Sequence, residues 1–373
     1  MPLAPSDPRE CAAALLESAR SGRSLRIRGG GTKDGLGDLL PTDDVLHTGA
    51  FTGVVDHVPA DLTATVRAGM RLRDLQSSLA ERGQFLPLDP PHRDATIGGI
   101  VGANSNGLGT LRYGTVRDLL IGTMTALADG TVARAGGRVV KNVAGYDLNK
   151  LLVGSFGTLG VLVEATFKVL PLPPARGACA LACPDAGSAF ARADAIVRTS
   201  LRPSALVVER SGREWRLIIA AAGERAVVDR TLREAGGDTV ADPDPLLGSL
   251  RELPASAVDG ALIRVVLPLA AQAVFAESAA RADGFARLVA DAGAGTALVH
   301  LRGDDDAVTA SATALMASAR VLGGHARAER RAPSLVGRIG ARGDAEPAGH
   351  FLMRRVKEAF DPLGTLEPGR MAI

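Results

Sequence analysis

The sequence predicts an α+β protein of two domains, and three observations lead there. Runs rich in Val, Ile and Thr recur through the first half, separated by glycine-dense loops and short helical patterns. A long apolar, β-branched run at 161–170 then ends in Pro171-Leu172-Pro173-Pro174, which a regular strand or helix does not continue through. Beyond it glycine density falls and strand patterns alternate with Ala-rich helical stretches, as in an antiparallel sheet covered on one side by helices. A chain of 373 residues can bury two cores. The boundary is set at the proline cluster, giving domains 1–173 and 174–373.

The elements follow in order from local chemistry. Asp7-Pro8-Arg9-Glu10 supplies an N-cap, a proline at the first helical position and a capping-box Glu, and Gly22 stops the helix. A strand at 24–28 leads into three glycines. Strands are expected at 54–58 and 63–67, a helix at 71–82 ended by Gly83, and a hairpin turning at Asp129-Gly130. In the second half, strand patterns cover 205–208, 216–219, 262–266 and 296–300.

Composition excludes several classes of function. Lys and Arg total 43 against 41 Asp and Glu, a net charge of +2, and no basic stripe is present, so nucleic acid is not an expected partner. No stretch is apolar for long enough to span a bilayer and the N-terminus lacks a leader pattern, so a cytoplasmic protein, mature as written, is expected. Cys11, Cys179 and Cys183 are too few for a four-thiolate iron–sulfur cluster, and the six histidines are scattered, so no metal site is expected. Cys179 and Cys183 lie in an apolar, strand-like segment and read as packing thiols.

Four clusters carry the chemistry. Arg28-Gly29-Gly30-Gly31-Thr32-Lys33 follows a strand; consecutive glycines suit positive φ or close approach of a ligand to the main chain, and their N–H groups can form a nest for a pyrophosphate. A flexible surface turn is the alternative, and neither the Rossmann nor the P-loop spacing occurs. The second cluster starts at Pro90-Pro91, passes Thr96-Ile97-Gly98-Gly99, Asn104, Asn106 and Gly109, and ends at Tyr113 and Asp118; small and amide-bearing residues gather there as around a bulky polar ligand. The third is Lys141-Asn142-Val143-Ala144-Gly145-Tyr146-Asp147, and the fourth Gly154-Ser155-Phe156-Gly157-Thr158-Leu159-Gly160. Both tyrosines of the chain, Tyr113 and Tyr146, fall inside these clusters.

In this order the clusters resemble the FAD-binding domain of the vanillyl-alcohol oxidase/PCMH superfamily. The resemblance implies that Gly29, Gly30, Gly31 and Thr32, entered through Arg28, grip the FAD pyrophosphate. It implies that Pro90, Thr96, Gly98, Gly99, Asn104, Asn106, Gly109, Tyr113 and Asp118 belong to segments passing the flavin and phosphates. Gly157, Gly160, Val161 and Val163 would meet the adenine side through main-chain groups. Members that attach FAD covalently often carry a histidine where this chain has Thr32, so noncovalent FAD is implied.

The ending Phe360-Asp361-Pro362-Leu363-Gly364-Thr365-Leu366-Glu367-Pro368-Gly369-Arg370 resembles the FDPxGxxNPGK ending of the glycolate and D-lactate branch, with Glu367 for Asn and Arg370 for Lys. A contact with flavin or substrate and a plain surface tail both stay open for it. Gly154-Ser155-Phe156-Gly157 departs from the Gly-Ser-Glu-Gly of the catalytic D-type subunit, whose His-rich metal motif also has no counterpart here. The chain is therefore similar to the smaller, E-type FAD-binding subunits of bacterial glycolate oxidase. That resemblance implies flavin-mediated oxidation of a small 2-hydroxy acid, with a D-type flavoprotein and an iron–sulfur subunit as partners and membrane association, if any, through them. A non-catalytic FAD relay or structural subunit, and a free-standing flavoenzyme of the same fold, remain alternatives. A substrate carboxylate calls for a cation and its hydroxyl for a base; Lys141 and Tyr146 are the candidates, against a solvated loop charge and a core aromatic. Trp215, the only tryptophan, marks the second domain as the expected docking surface.

Overall fold

The computed structural model describes residues 3–38, 40–137, 147–342 and 349–370. The chain is α+β and divides into two units: Met1–Asn106 with Gly114–Leu172 and Glu346–Ile373, and Gly107–Tyr113 with Pro173–Ala345. The single cut at residue 173 expected from the sequence is thus replaced by an interleaved division. The proline cluster does mark one crossing, but the chain's last segment returns to the first unit and a seven-residue excursion belongs to the second. Neither exchange leaves a compositional mark, because each depends on contacts between residues remote in sequence.

The first unit opens with helix Pro8–Ser21, where Asp7 Oδ1 accepts from the N–H groups of Arg9 at 2.7 Å and Glu10 at 3.0 Å, and Gly22 closes the helix at φ 67°. Strand Leu25–Arg28 pairs in parallel with Asp44–His47. An antiparallel five-stranded sheet then runs in the order Val54–Val58, Thr63–Arg67, Val161–Lys168, Leu120–Ala126, Val132–Gly136. The long apolar run is its central strand, buried on both faces, which is why it reads as continuous rather than alternating. One face packs Val66, Ala165 and Phe167 against Leu75 and Leu79 of helix Leu72–Ala80 and Ile97 and Ile100 of helix Ile97–Ala103. The other packs Met124, Val161 and Val163 against Cys11 and Leu15 of the opening helix.

The second unit is built on an eight-stranded antiparallel sheet in the order Asp238–Val240, Ala175–Cys183, Glu214–Gly223, Ala205–Ser211, Phe285–Asp291, Thr296–Leu301, Ala261–Val266, His325–Arg331. Helices Ala186–Val197, Gln272–Ala279 and Asp305–Val321 cover the face bearing Leu206, Leu217 and Ile263. The alternate residues Val207, Ile218 and Leu262 pack under Leu250 and Leu253, so helices reach the second face as well and the one-sided cover expected from the sequence is incomplete.

Trp215 is 3% exposed in this core, with the Arg210 guanidinium 5.0 Å from its ring centre, so its side chain packs in the interior of the unit. Burial pushes the Cys11 thiol up to about 12 and raises Cys179 as well, which makes both packing groups rather than nucleophiles. Among the described residues no helix is long and apolar enough to cross a membrane, and no group of three His, Cys, Asp or Glu is placed to hold a metal.

Candidate flavin cleft

The first unit holds an open cleft enclosing about 760 Å³, solvent included. Its rim begins where strand Leu25–Arg28 runs out. Gly29, Gly30, Gly31 and Thr32 all line it, and among the described residues the backbone N–H groups of Gly30, Gly31 and Thr32 have no hydrogen-bond partner. Exposed, convergent N–H groups form a concavity of partial positive charge suited to an anion.

The glycines are required by space more than by conformation. Only Gly31 has positive φ, at 71°. A Cβ at Gly29 would lie 2.4 Å from Thr96 Oγ1, and one at Gly30 2.6 Å from the Asp94 carbonyl oxygen. Segment 94–96 thus presses against the loop from below, leaving its upper side to a ligand. The Arg28 guanidinium folds back to Asp34 at 2.8 Å and covers Gly31.

Thr96 caps helix Ile97–Ala103 by accepting from the Gly99 N–H at 3.3 Å, and Gly98 sits where a Cβ would come within 3.2 Å of the Ala68 carbonyl oxygen. Turn 154–157 docks on this helix: Gly154 N–H donates to Val101 O at 3.0 Å and Phe156 N–H to Gly102 O at 2.8 Å. The docking holds Phe156 at φ 54° and Gly157 at φ 81°, and both residues line the cleft.

The C-terminal segment closes the other wall. Leu366 bridges to Leu25, continuing the parallel pair, and Glu367 Oε1 accepts from the Ile27 N–H at 2.7 Å. Arg370 donates to the carbonyls of Leu36 at 2.7 Å, Lys33 at 3.0 Å and Asp34 at 3.4 Å. Its guanidinium lies over Phe156, 5.9 Å from the ring centre. Glu367 and Arg370 are 3% and 7% exposed, so this segment is no surface tail. Burial raises the Glu367 carboxyl against the opposing pull of Arg370, and burial lowers the Arg370 guanidinium.

Residues 2–136 match a family described as an FAD binding domain. That stretch of the chain is thus similar to an FAD binding domain. Over 175 residues it is 42% identical to the glycolate oxidase subunit GlcE of Escherichia coli (strain K12), covering 45% of this chain and 50% of that protein. It is 41% identical over 152 residues to the glycolate oxidase subunit GlcD of Bacillus subtilis (strain 168), covering 40% and 32% respectively. The chain therefore aligns with half or less of these two relatives, and identity alone does not separate the two subunit types. A solved alkyldihydroxyacetonephosphate synthase shares the fold at a TM-score of 0.73 and 16% identity, over 98% of this chain and 76% of that one.

The cleft of the first unit has features that suit a dinucleotide such as FAD: a side-chain-free loop with uncovered N–H groups, and a buried guanidinium beside it. Of the residues singled out in the sequence, it brings together Arg28, Gly29, Gly30, Gly31, Thr32, Thr96, Gly98, Gly99, Gly157 and Gly160. The other described ones do not line it. Pro90 is buried elsewhere in the unit, Asn104 caps a helix at φ 48°, and Asn106 Oδ1 accepts from the Val116 N–H at 2.8 Å. Asp118 accepts from the Thr115 N–H and hydroxyl at 2.7 Å, which hold its carboxyl below the usual range. Val161 and Val163 bury their side chains in the core, and Gly109 and Tyr113 belong to the excursion into the second unit. Lys141 and Tyr146 lie outside the described residues.

Glu367, Arg370 and Phe156 line the cleft, yet sequence reading left the first two open between a flavin contact and a surface tail and named none of the three as a site residue. The signal was present in part: the Pro-Gly ending around Glu367 and Arg370 stood out as a motif, but nothing local says that a residue in position 370 reaches a loop at 33–36.

Proposed function

We propose that this chain is an FAD-dependent oxidoreductase acting on the CH–OH group of a small 2-hydroxy acid, glycolate foremost, as the FAD-binding subunit of a glycolate oxidase complex. The observation that carries the cofactor site is the uncovered N–H run at 30–32 against segment 94–96. The similarity to glycolate oxidase subunits, over 175 and 152 residues of the chain, supports the substrate class and the assembly. Bound FAD supplies the two-electron acceptor that no side chain can provide.

The protein's part is binding, orientation and electrostatics. The N–H groups of Gly30, Gly31 and Thr32 would hold the pyrophosphate, with Thr32 offering a hydroxyl but no imidazole for a covalent bond. Thr96, Gly98, Gly99, Gly157 and Gly160 would leave room for the rest of the cofactor along the cleft. Lys141 would meet the substrate carboxylate and Tyr146 its hydroxyl. A D-type flavoprotein and an iron–sulfur subunit would carry electrons onward, and the assembly would be cytoplasmic.

The test is anaerobic titration of the purified yellow protein with glycolate and D-lactate, alone and with the two partner subunits. Loss of flavin absorbance near its visible maximum on adding glycolate to the isolated chain would establish catalysis by this subunit. Bleaching only in the assembled complex would make it a relay, and none in either would remove the substrate assignment.

A further inference from the structure

Arg370, in the C-terminal segment, does more than pack. Its three carbonyl contacts, to Lys33, Asp34 and Leu36, all fall on the turn directly after the glycine run. Two close backbone approaches reinforce them: a Cβ at Gly37 would lie 2.5 Å from the Arg370 carbonyl oxygen, and one at Gly369 2.4 Å from that of Asp38. Arg370 also lies at the cleft wall, 93% buried, with its Nε without a hydrogen-bond partner among the described residues and 3.8 Å from Glu367 Oε2. A buried cation with a donor to spare, beside a loop of uncovered N–H groups, is placed to organise binding of an anion.

We propose that Arg370 is a positioning residue for the pyrophosphate of the dinucleotide: by gripping the 33–36 carbonyls it holds the glycine loop in the shape that turns its N–H groups into the cleft, and adds positive potential behind them. The inference rests on the reading of this cleft as the FAD site. Without the grip, the three glycines sample many conformations, and ordering them costs part of the binding free energy. Flavin affinity is then set by residues more than 330 positions away in sequence.

The experiment measures FAD dissociation constants of the full-length protein by flavin fluorescence quenching, with far-UV circular dichroism and urea unfolding of each apoprotein. Four proteins are compared: the wild type, Arg370→Met, Arg370→Lys, and Leu79→Ala in the core away from the cleft. Arg370→Met is expected to weaken FAD binding by about tenfold or more, the loss of charged hydrogen bonds. Arg370→Lys recovers most of it, because an ammonium can still donate to these carbonyls. Leu79→Ala lowers the urea midpoint but leaves the dissociation constant unchanged, which a merely structural role for Arg370 would not predict. Wild-type affinity in Arg370→Met, or equal flavin loss in Leu79→Ala, overturns the proposal. If Arg370→Met does not fold, Arg370→Gln, which keeps one amide donor, carries the same comparison. A wild type that binds no FAD sinks the reading of the cleft itself, an outcome distinct from a wild type and Arg370→Met that bind it equally.

Discussion

The carbonyl oxygen of Asp94 stands 2.6 Å from where a side chain at Gly30 would begin. Gly30→Val is therefore expected to displace the loop from its floor and abolish flavin binding while the far-UV spectrum stays native; flavin content after purification checks it, and near-normal content would show the loop to be only a turn. Sequence reasoning offered positive φ or close approach of a ligand to the main chain for these glycines; positive φ belongs to Gly31 alone, and at Gly29 and Gly30 the space a side chain would need is taken by segment 94–96. A second residue has a consequence for pH. Asp291, in the second unit, accepts from the Thr110 hydroxyl at 2.7 Å and from the Gly293 and Ala294 N–H groups at 3.0 Å, yet burial outweighs these bonds and raises its carboxyl. Because the folded value lies above the unfolded one, the unfolded state releases its proton first. This group's contribution is therefore most favourable at acid pH and is lost as pH rises from the ordinary aspartate value through the raised one. Asp291→Asn keeps an acceptor for both N–H groups and a donor for Thr110, so it should gain stability relative to wild type as pH increases. Urea midpoints of both proteins across that interval measure it, and a constant difference would refute it.

At the scale of elements, several strands were legible where a run was apolar or alternating, though the apolar strand Phe285–Asp291 was missed. The pair at 54–58 and 63–67 is found at those positions, and the hairpin at Asp129-Gly130 joins Leu120–Ala126 to Val132–Gly136. Strand His325–Arg331 escaped notice because it sits at a sheet edge and is mostly charged, a composition that protects an edge but hides a strand from pattern reading. The charges on this sheet are organised. Buried Glu209 accepts from Arg216 on its neighbouring strand at 2.5 Å and from Arg287 on the opposite neighbour at 2.7 Å, tying three strands together. Replacing it leaves two guanidinium groups without their shared anion. Glu209→Ala should cost about 1.5–3 kcal/mol, read from chemical denaturation, whereas a loss within experimental error would mean that water replaces the carboxylate freely.

For the whole molecule, the expectation concerns the cofactor's attachment and its company. Acid or heat should release all of the FAD, because Thr32 at the cleft offers no imidazole; flavin remaining on the denatured peptide would contradict this. Glycolate-dependent dye reduction per flavin should be weak for the isolated chain and rise on co-purification with D-type and iron–sulfur partners. Equal, vigorous turnover by the isolated chain would leave a self-sufficient flavoenzyme instead.

By itself the sequence determined the α+β class and the FAD-binding character of the first half, because those rest on local signals: hydrophobic period, proline punctuation, and glycines clustered where a backbone must be bare. Tertiary structure alone decided three other matters. It assigned Gly107–Tyr113 to the second unit and the segment from Glu346 to the first, it gave Asn104, Asn106 and Asp118 capping contacts at helix ends, and it brought Arg370 and Glu367 to the cleft beside the glycine loop. The physical reason is common to all three. A cap, a crossing and a distant clamp are defined by which buried donors and acceptors remain to be satisfied once the chain is packed, and that remainder is a property of the fold rather than of any stretch of residues.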